Sequence, residues 1–181
     1  MVWPGGCDRL NKDSCGRLKV GICWRSSLRT TRRSQQYADI ASLAQILQVP
    51  GVQFFNLQYD ECADELFRLN EESGASILDF PEVDMLNDID EVSALVSHLV
   101  LVISAQTAVV AIAAGVGVKT WNFLSDGSWP LLGTSRQPFL PAVEKIYLRK
   151  WNESWRPHFT RLADDLSALV RARSEKNLSG K

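Results

Sequence analysis

Short, almost unbroken apolar runs alternate along this 181-residue chain with stretches whose apolar residues fall at helical spacing. A continuous apolar run marks a strand covered on both faces, and alternation with helices demands right-handed crossovers within a parallel sheet. The strand runs are residues 19–24, 52–57, 76–79, 99–103, 118–123 and 146–148, with 99–103 (Leu-Val-Leu-Val-Ile) the strongest. Between them, Ile40, Leu43, Ala44 and Leu47 trace one helix, stopped by Pro50-Gly51. Leu66 and Leu69, with Cys62 before them and Phe67 beside them, trace another that Gly74 ends. Val92, Leu95 and Val96 follow an acidic loop in which Asp88 or Asp90 can act as cap. A helix of small residues spans 108–114, and Leu162, Leu166, Leu169 and Val170 mark a closing one. The pattern predicts an α/β fold: a single Rossmann-like domain, its mostly parallel six-stranded sheet carrying helices on both faces. It would occupy 19–173, with 1–18 as leader or linker and 174–181 as polar tail.

Composition removes several functions. Twenty basic residues against 21 acidic leave a net charge of −1, whereas a dedicated nucleic-acid binder carries a basic excess. No apolar run reaches the length of a membrane helix, and Met1-Val2-Trp3-Pro4-Gly5-Gly6 is no secretory signal. Cys7, Cys15, Cys23 and Cys62 match no zinc spacing and read as reduced thiols of a cytoplasmic protein. His98 and His158 have no nucleophile nearby in sequence, so no triad can be argued. Gly115-Val116-Gly117 precedes a strand where a dinucleotide fingerprint must follow one. Asp88-Ile89-Asp90 is read as helix-capping rather than metal-binding, and Asn152-Glu153-Ser154 as an idle glycosylation match.

In an open parallel sheet the ligand lies beyond the carboxyl ends of the strands, so the residues just after each strand are the candidates. Arg25, Ser26, Arg29, Arg32 and Arg33 follow the first strand, and guanidinium forks with hydroxyls suit phosphate. The same arginines could instead pair with the acidic segments at 60–65 and 82–91, a reading that prevails for Arg29, Arg32 and Arg33. Gln58 and Tyr59 follow the second strand and could read and stack on a nucleobase, although turn chemistry also accounts for the segment. Ser104, Gln106 and Thr107 lead into the small-residue helix, whose start can take phosphate or simply be capped by Ser104 or Thr107.

Taken in order, these segments resemble the carboxy-terminal, nucleotide-sugar-binding half of GT-B glycosyltransferases. The nearest types are heptosyltransferase-like and O-GlcNAc-transferase-like bacterial proteins. The resemblance rests on residues 19–27, 55–59, 101–109 and 113–121, then on Trp129 with Leu132-Gly133 and on Pro138-Phe139-Leu140-Pro141, and it spans about 19–170. It implies that Gln58 and the loop around Asp88 face the base, that Arg25, Ser26, Gln106 and Thr107 surround the diphosphate, and that Trp129 walls the pocket. It also implies a metal-independent reaction without bound cofactor, the helix dipole and basic side chains stabilising the leaving diphosphate. Two positions depart from many relatives: Gln106 stands where an Asp is common and Ala111 where a His is. Such enzymes carry the acceptor site and usually the base on an amino-terminal domain, for which residues 1–18 leave no room. Two functions follow: a donor-binding lobe completed by another domain, subunit or homodimer partner, or an inactive GT-B-derived module acting in protein interaction. A third is another Rossmann-like nucleotide binder, for which the absent glycine fingerprint counts against NAD.

Overall fold

The computed structural model describes residues 10, 12, 14, 16–27, 37–125 and 129–179. Its elements are β1 (Leu18–Cys23), α1 (Ile40–Leu47), β2 (Val52–Asn56), α2 (Ala63–Ser73), β3 (Ile77–Leu78), α3 (Ile89–Ser97), β4 (Leu101–Ala105), α4 (Ala108–Gly115), β5 (Thr120–Ser125), β6 (Val143–Arg149) and α5 (Arg156–Ser179). The strands form one six-stranded sheet in the order β3-β2-β1-β4-β5-β6, and every pairing is parallel. The chain therefore moves outward from β1 in one direction, returns across it, and continues in the other. The reversal lies between β1 and β4, where crossovers leave in opposite directions and a crevice opens beyond the strand ends.

Side-chain alternation along each strand divides the core in two. Val20, Ile22, Phe54, Leu101, Ile103, Trp121 and Phe123 face α1, α2 and α5, where Leu43, Ile46, Leu69, Phe159, Leu162 and Leu166 are buried against them. Cys23, Phe55 and Val102 point the other way, onto Leu95, Val96, Val109 and Ala113 of α3 and α4. Leu10, from the segment expected as a leader, is fully buried in this second cluster. Gly21 belongs to the same face. A Cβ there would lie 2.4 Å from Leu57 Cδ1 and 2.7 Å from Leu99 Cδ1, so any side chain would force these buried leucines to move.

Helix ends follow their local chemistry. Asp39 caps α1 by accepting from the Ser42 N–H at 2.8 Å, and Gly74 ends α2 in the left-handed conformation at φ 66°. Four elements differ in their bounds from the sequence expectation. β4 and β5 each sit two residues later than their apolar runs, because Ser104 pairs with Asn122 and Ala105 with Phe123 across the ladder. Polar residues thus lie inside strands, held by backbone pairing that composition does not report. β6 extends over seven residues, and α5 continues through 174–179. Among the described residues no helix is long and apolar enough to cross a membrane.

Candidate functional site

The ends of β1 and β2 are tied together by Gln58 and Arg25. Gln58 Nε2 donates to the Arg25 carbonyl at 2.9 Å and to Asp60 Oδ1 at 2.8 Å, while Gln58 Oε1 accepts from the Arg25 N–H at 3.3 Å. The amide thus extends strand pairing one residue beyond the ladder. The Arg25 guanidinium is buried, with Nε on Glu65 at 2.7 Å, one terminal nitrogen on Asp60 and the other on the Glu61 carbonyl at 3.2 Å. Burial alone would lower its pKa, but Glu65 and Asp60 outweigh this and raise it. Arg25, expected at a phosphate, thus pairs with the acidic segment, and Gln58, expected at a base, bonds the Arg25 backbone and Asp60. Both residues sit where a buried polar group must find its partners within the protein.

At the end of β4, Ser104 is fully buried and donates to the Ala105 carbonyl at 2.7 Å, so it too lies behind the surface rather than on it. Thr107 is the cap of α4, accepting from the Val109 N–H at 3.3 Å. Behind it the Cys23 thiol is wholly enclosed, and burial pushes its pKa up to about 11. Asp88 caps α3 by accepting from the Glu91 N–H at 2.8 Å, as its place before the helix suggested, and shares a separate surface recess with Asp84 and Asn87. Arg29, Arg32 and Arg33 lie outside the described residues.

A chain of amides runs beneath the crevice. Asn122 on β5 donates from Nδ2 to the Ser104 carbonyl at 2.8 Å, which leaves its Oδ1 as an acceptor. Gln137 Nε2 donates to that Oδ1 at 2.8 Å and to Gln106 Oε1 at 2.9 Å. The order of donors and acceptors is thereby set from the backbone outward, ending at Gln106. Gln137 is only 4% exposed, yet its Oε1 has no partner among the described residues. An unmet buried acceptor costs about 1–3 kcal/mol.

These parts surround a cleft of about 520 Å³ at the topological reversal, lined by Ser26, Tyr59, Gln106, Thr107, Ala108, Ala111, Trp129, Pro130, Gln137, Phe139 and Leu140. Five residues expected from sequence are brought together here: Ser26, Tyr59, Gln106, Thr107 and Trp129. The described lining carries no carboxylate, ammonium or guanidinium. Trp129 and Phe139 are 77% and 73% exposed, an unusual display for large aromatics. The first N–H of α4, at Ala108, lies at the positive end of that helix without an intrahelical partner. Sequence reasoning missed Gln137 and Asn122. Asn122 does leave a signal, a lone amide within the apolar run Trp121–Leu124; Gln137 leaves none, since its role arises only when its loop folds over β5.

Tyr59 also lines a second recess, of about 680 Å³, between α2 and the loop that follows β3. Asp60, Glu61, Asp79 and Asp84 alternate there with Leu66, Phe67, Met85 and Leu86. Among the described residues no group of His, Cys, Asp and Glu is arranged to hold a metal ion.

Comparison with solved structures finds the same architecture in two enzymes. The ADP-heptose LPS heptosyltransferase II of E. coli superposes with a TM-score of 0.60 at 14% identity, covering 96% of this chain and 54% of that one. A glycosyl transferase family 9 protein from Veillonella parvula gives 0.58 at 9% identity, over 83% and 41%. The chain has the fold of these glycosyltransferases. Among curated proteins, FlbA of Caulobacter vibrioides is 32% identical over 148 residues, or 82% of this chain. That stretch is 25% of FlbA, so the chain spans about a quarter of its curated relative and about half of each enzyme or less. No protein-family model matches the chain.

Proposed function

We propose that the chain is the nucleotide-sugar-binding lobe of a GT-B-type glycosyltransferase, with the donor seated in the cleft between β1 and β4. The observation that carries this reading is the position of the cleft. It lies at the reversal of strand order, with the start of α4 and Thr107 at its floor and Trp129 at its rim. The Ala108 N–H and the dipole of α4 suit the diphosphate, and Tyr59 suits the base. Ser26 stands beside the diphosphate. A second lobe would bring the acceptor hydroxyl and the base that activates it, and the helix dipole would stabilise the departing diphosphate without a metal. The buried free thiols of Cys23 and Cys62 fit the reducing interior of a bacterial cell, so the cytoplasm is the expected compartment.

A second reading, an inactive GT-B-derived module acting in protein interaction, is supported by Ala111, which lines the cleft where many of the enzymes it resembles carry a His. Calorimetric titration with UDP, GDP and ADP separates the two. The donor reading expects one of the three to bind with a dissociation constant in the micromolar to millimolar range. Silence from all three, with the protein folded by circular dichroism, would leave the interaction module standing.

A further inference from the structure

We infer that the recess between α2 and the loop after β3 docks a cationic, amphipathic segment of a partner protein. It concerns a different recess from the donor cleft and holds whether or not that cleft takes a donor. Its volume is about 680 Å³, and Leu66 and Phe67 of α2 meet Val83, Met85 and Leu86 of the loop around it. Phe67 is 66% exposed and Leu86 62%. Ile89, also 62% exposed, follows in the adjoining recess that shares Asp84. Large apolar side chains gathered on a surface and rimmed by polar groups mark a place where another macromolecule sits.

Charge selects the partner. Twelve of the 21 acidic residues fall within residues 60–91, and Arg68 is the one basic residue there. The described lining of the recess includes Asp60, Glu61, Asp79 and Asp84 and no Lys, Arg or His. Arg25 offsets Asp60 from within the fold. Asp84 accepts from the Asn87 side chain and from the N–H groups of Asn87 and Leu86, which hold its carboxyl below the usual range and keep it charged. Helix stability does not account for all of this charge. Asp64 and Glu65 suit the first turn of α2, but Glu71 and Glu72 stand in its last, where the dipole disfavours anions and no basic residue offsets them. Asp64, Phe67 and Glu71 fall three and four residues apart, so an exposed aromatic stands between two exposed carboxylates on one stripe of the helix.

Such a surface repels nucleic acid and anionic lipid. Nor do the carboxylates converge on a point charge: among the described residues no group of His, Cys, Asp and Glu could hold a metal ion. Those of α2 are spread along an 11-residue helix, about 16 Å in length. What matches is a chain carrying Lys or Arg at intervals, with an apolar face to cover Phe67, Met85 and Leu86.

The test is fluorescence anisotropy of the full chain with a labelled peptide of about 14 residues, Leu at helical spacing and Lys elsewhere. The peptide should bind in the micromolar range, and about tenfold more weakly when salt rises from ~50 to ~500 mM. Phe67→Ser should weaken binding about tenfold, the loss of one aromatic contact. Asp64→Asn combined with Glu71→Gln should cost a similar factor of about ten. These positions are exposed, so circular dichroism should be unchanged, and Leu86→Ser is the second apolar variant. A peptide with Ser in place of Leu that binds as tightly would reduce the surface to bare charge and overturn the inference. So would an affinity unchanged by both Phe67→Ser and Leu86→Ser. A dimer in sedimentation that Phe67→Ser dissociates would assign the recess to a second copy, and the inference would fall. It would fall equally if replacing Arg29, Arg32 and Arg33, which lie outside the described residues, by Gln tightened the peptide about tenfold, since the chain would then fill the recess itself. Asp64, Phe67, Glu71 and Leu86 do not line the donor cleft, so the nucleoside diphosphate titration decides that reading separately.

Discussion

Arg25 illustrates how the same side chain serves either a ligand or the fold. Its guanidinium is 6% exposed and clamped by Asp60 and Glu65, themselves mostly covered at 20% and 23%. Removing the cation leaves two carboxylates close together with little water to screen them. We expect Arg25→Ala to lower the unfolding free energy by about 2–4 kcal/mol in urea titration, chiefly through those stranded charges. An unchanged midpoint would show that the network contributes nothing net. Cys23 gives a pH prediction. Burial, against weaker opposition from hydrogen bonds to Thr107 and Ser104, raises its thiol from 9.0 to about 11. Between those values the unfolded chain releases the proton and the folded chain keeps it. Stability therefore falls as pH rises through the window, by at most about 1.4 kcal/mol per unit. Cys23→Ala should flatten that part of the profile, and the native thiol should resist iodoacetamide at pH 8 until denaturant is added.

Among the elements, α4 is a short helix with a side-chain cap at its start. It is eight residues long and built of Ala, Val, Ile and a final Gly, too short to be stable by propensity alone. Packing of Val109, Val110 and Ala113 holds one face, and the Thr107 hydroxyl meets one of its four free N–H groups. Thr107→Val should cost about 1 kcal/mol by thermal melt, and Thr107→Ser should restore most of it. A melt unchanged by Thr107→Val would mean that packing alone orders the helix start. The same comparison explains why Thr107 and Asp88 looked alike in sequence. Both cap helices, but α4 begins at the reversal of the sheet and α3 does not, so only Thr107 lines the cleft.

At the scale of the whole molecule, the six parallel strands and their sandwiching helices were legible from alternation alone. Apolar runs such as 99–103 have no stable place except a sheet covered on both faces, and the intervening helical periodicity fixes the crossovers. Strand order, with β1 central, came only from the tertiary structure, and with it the crevice where a ligand can lie. The site was legible only in outline. Ser26, Tyr59, Gln106, Thr107 and Trp129 were named by position after strands and by resemblance, and they do share one cleft. Arg25, Gln58 and Ser104 were named by the same rule but turn inward; for Arg25 and Gln58 the next residue along, Ser26 or Tyr59, faces the cleft, because neighbours on an extended chain face opposite ways.

The sequence by itself therefore determined the architecture, since burial of periodic apolar residues is a local pattern with a global consequence. It also determined the strand ends at which polar chemistry could gather. Only the tertiary structure decided which of those polar groups are satisfied within the protein and which are left for a ligand. That choice depends on hydrogen-bond partners 30 or so residues away, as with Gln58 on Arg25 at a separation of 33 and Gln137 on Gln106 at 31. Pairing of polar atoms is directional and reaches only about 3 Å, so it cannot be read until the chain has closed on itself.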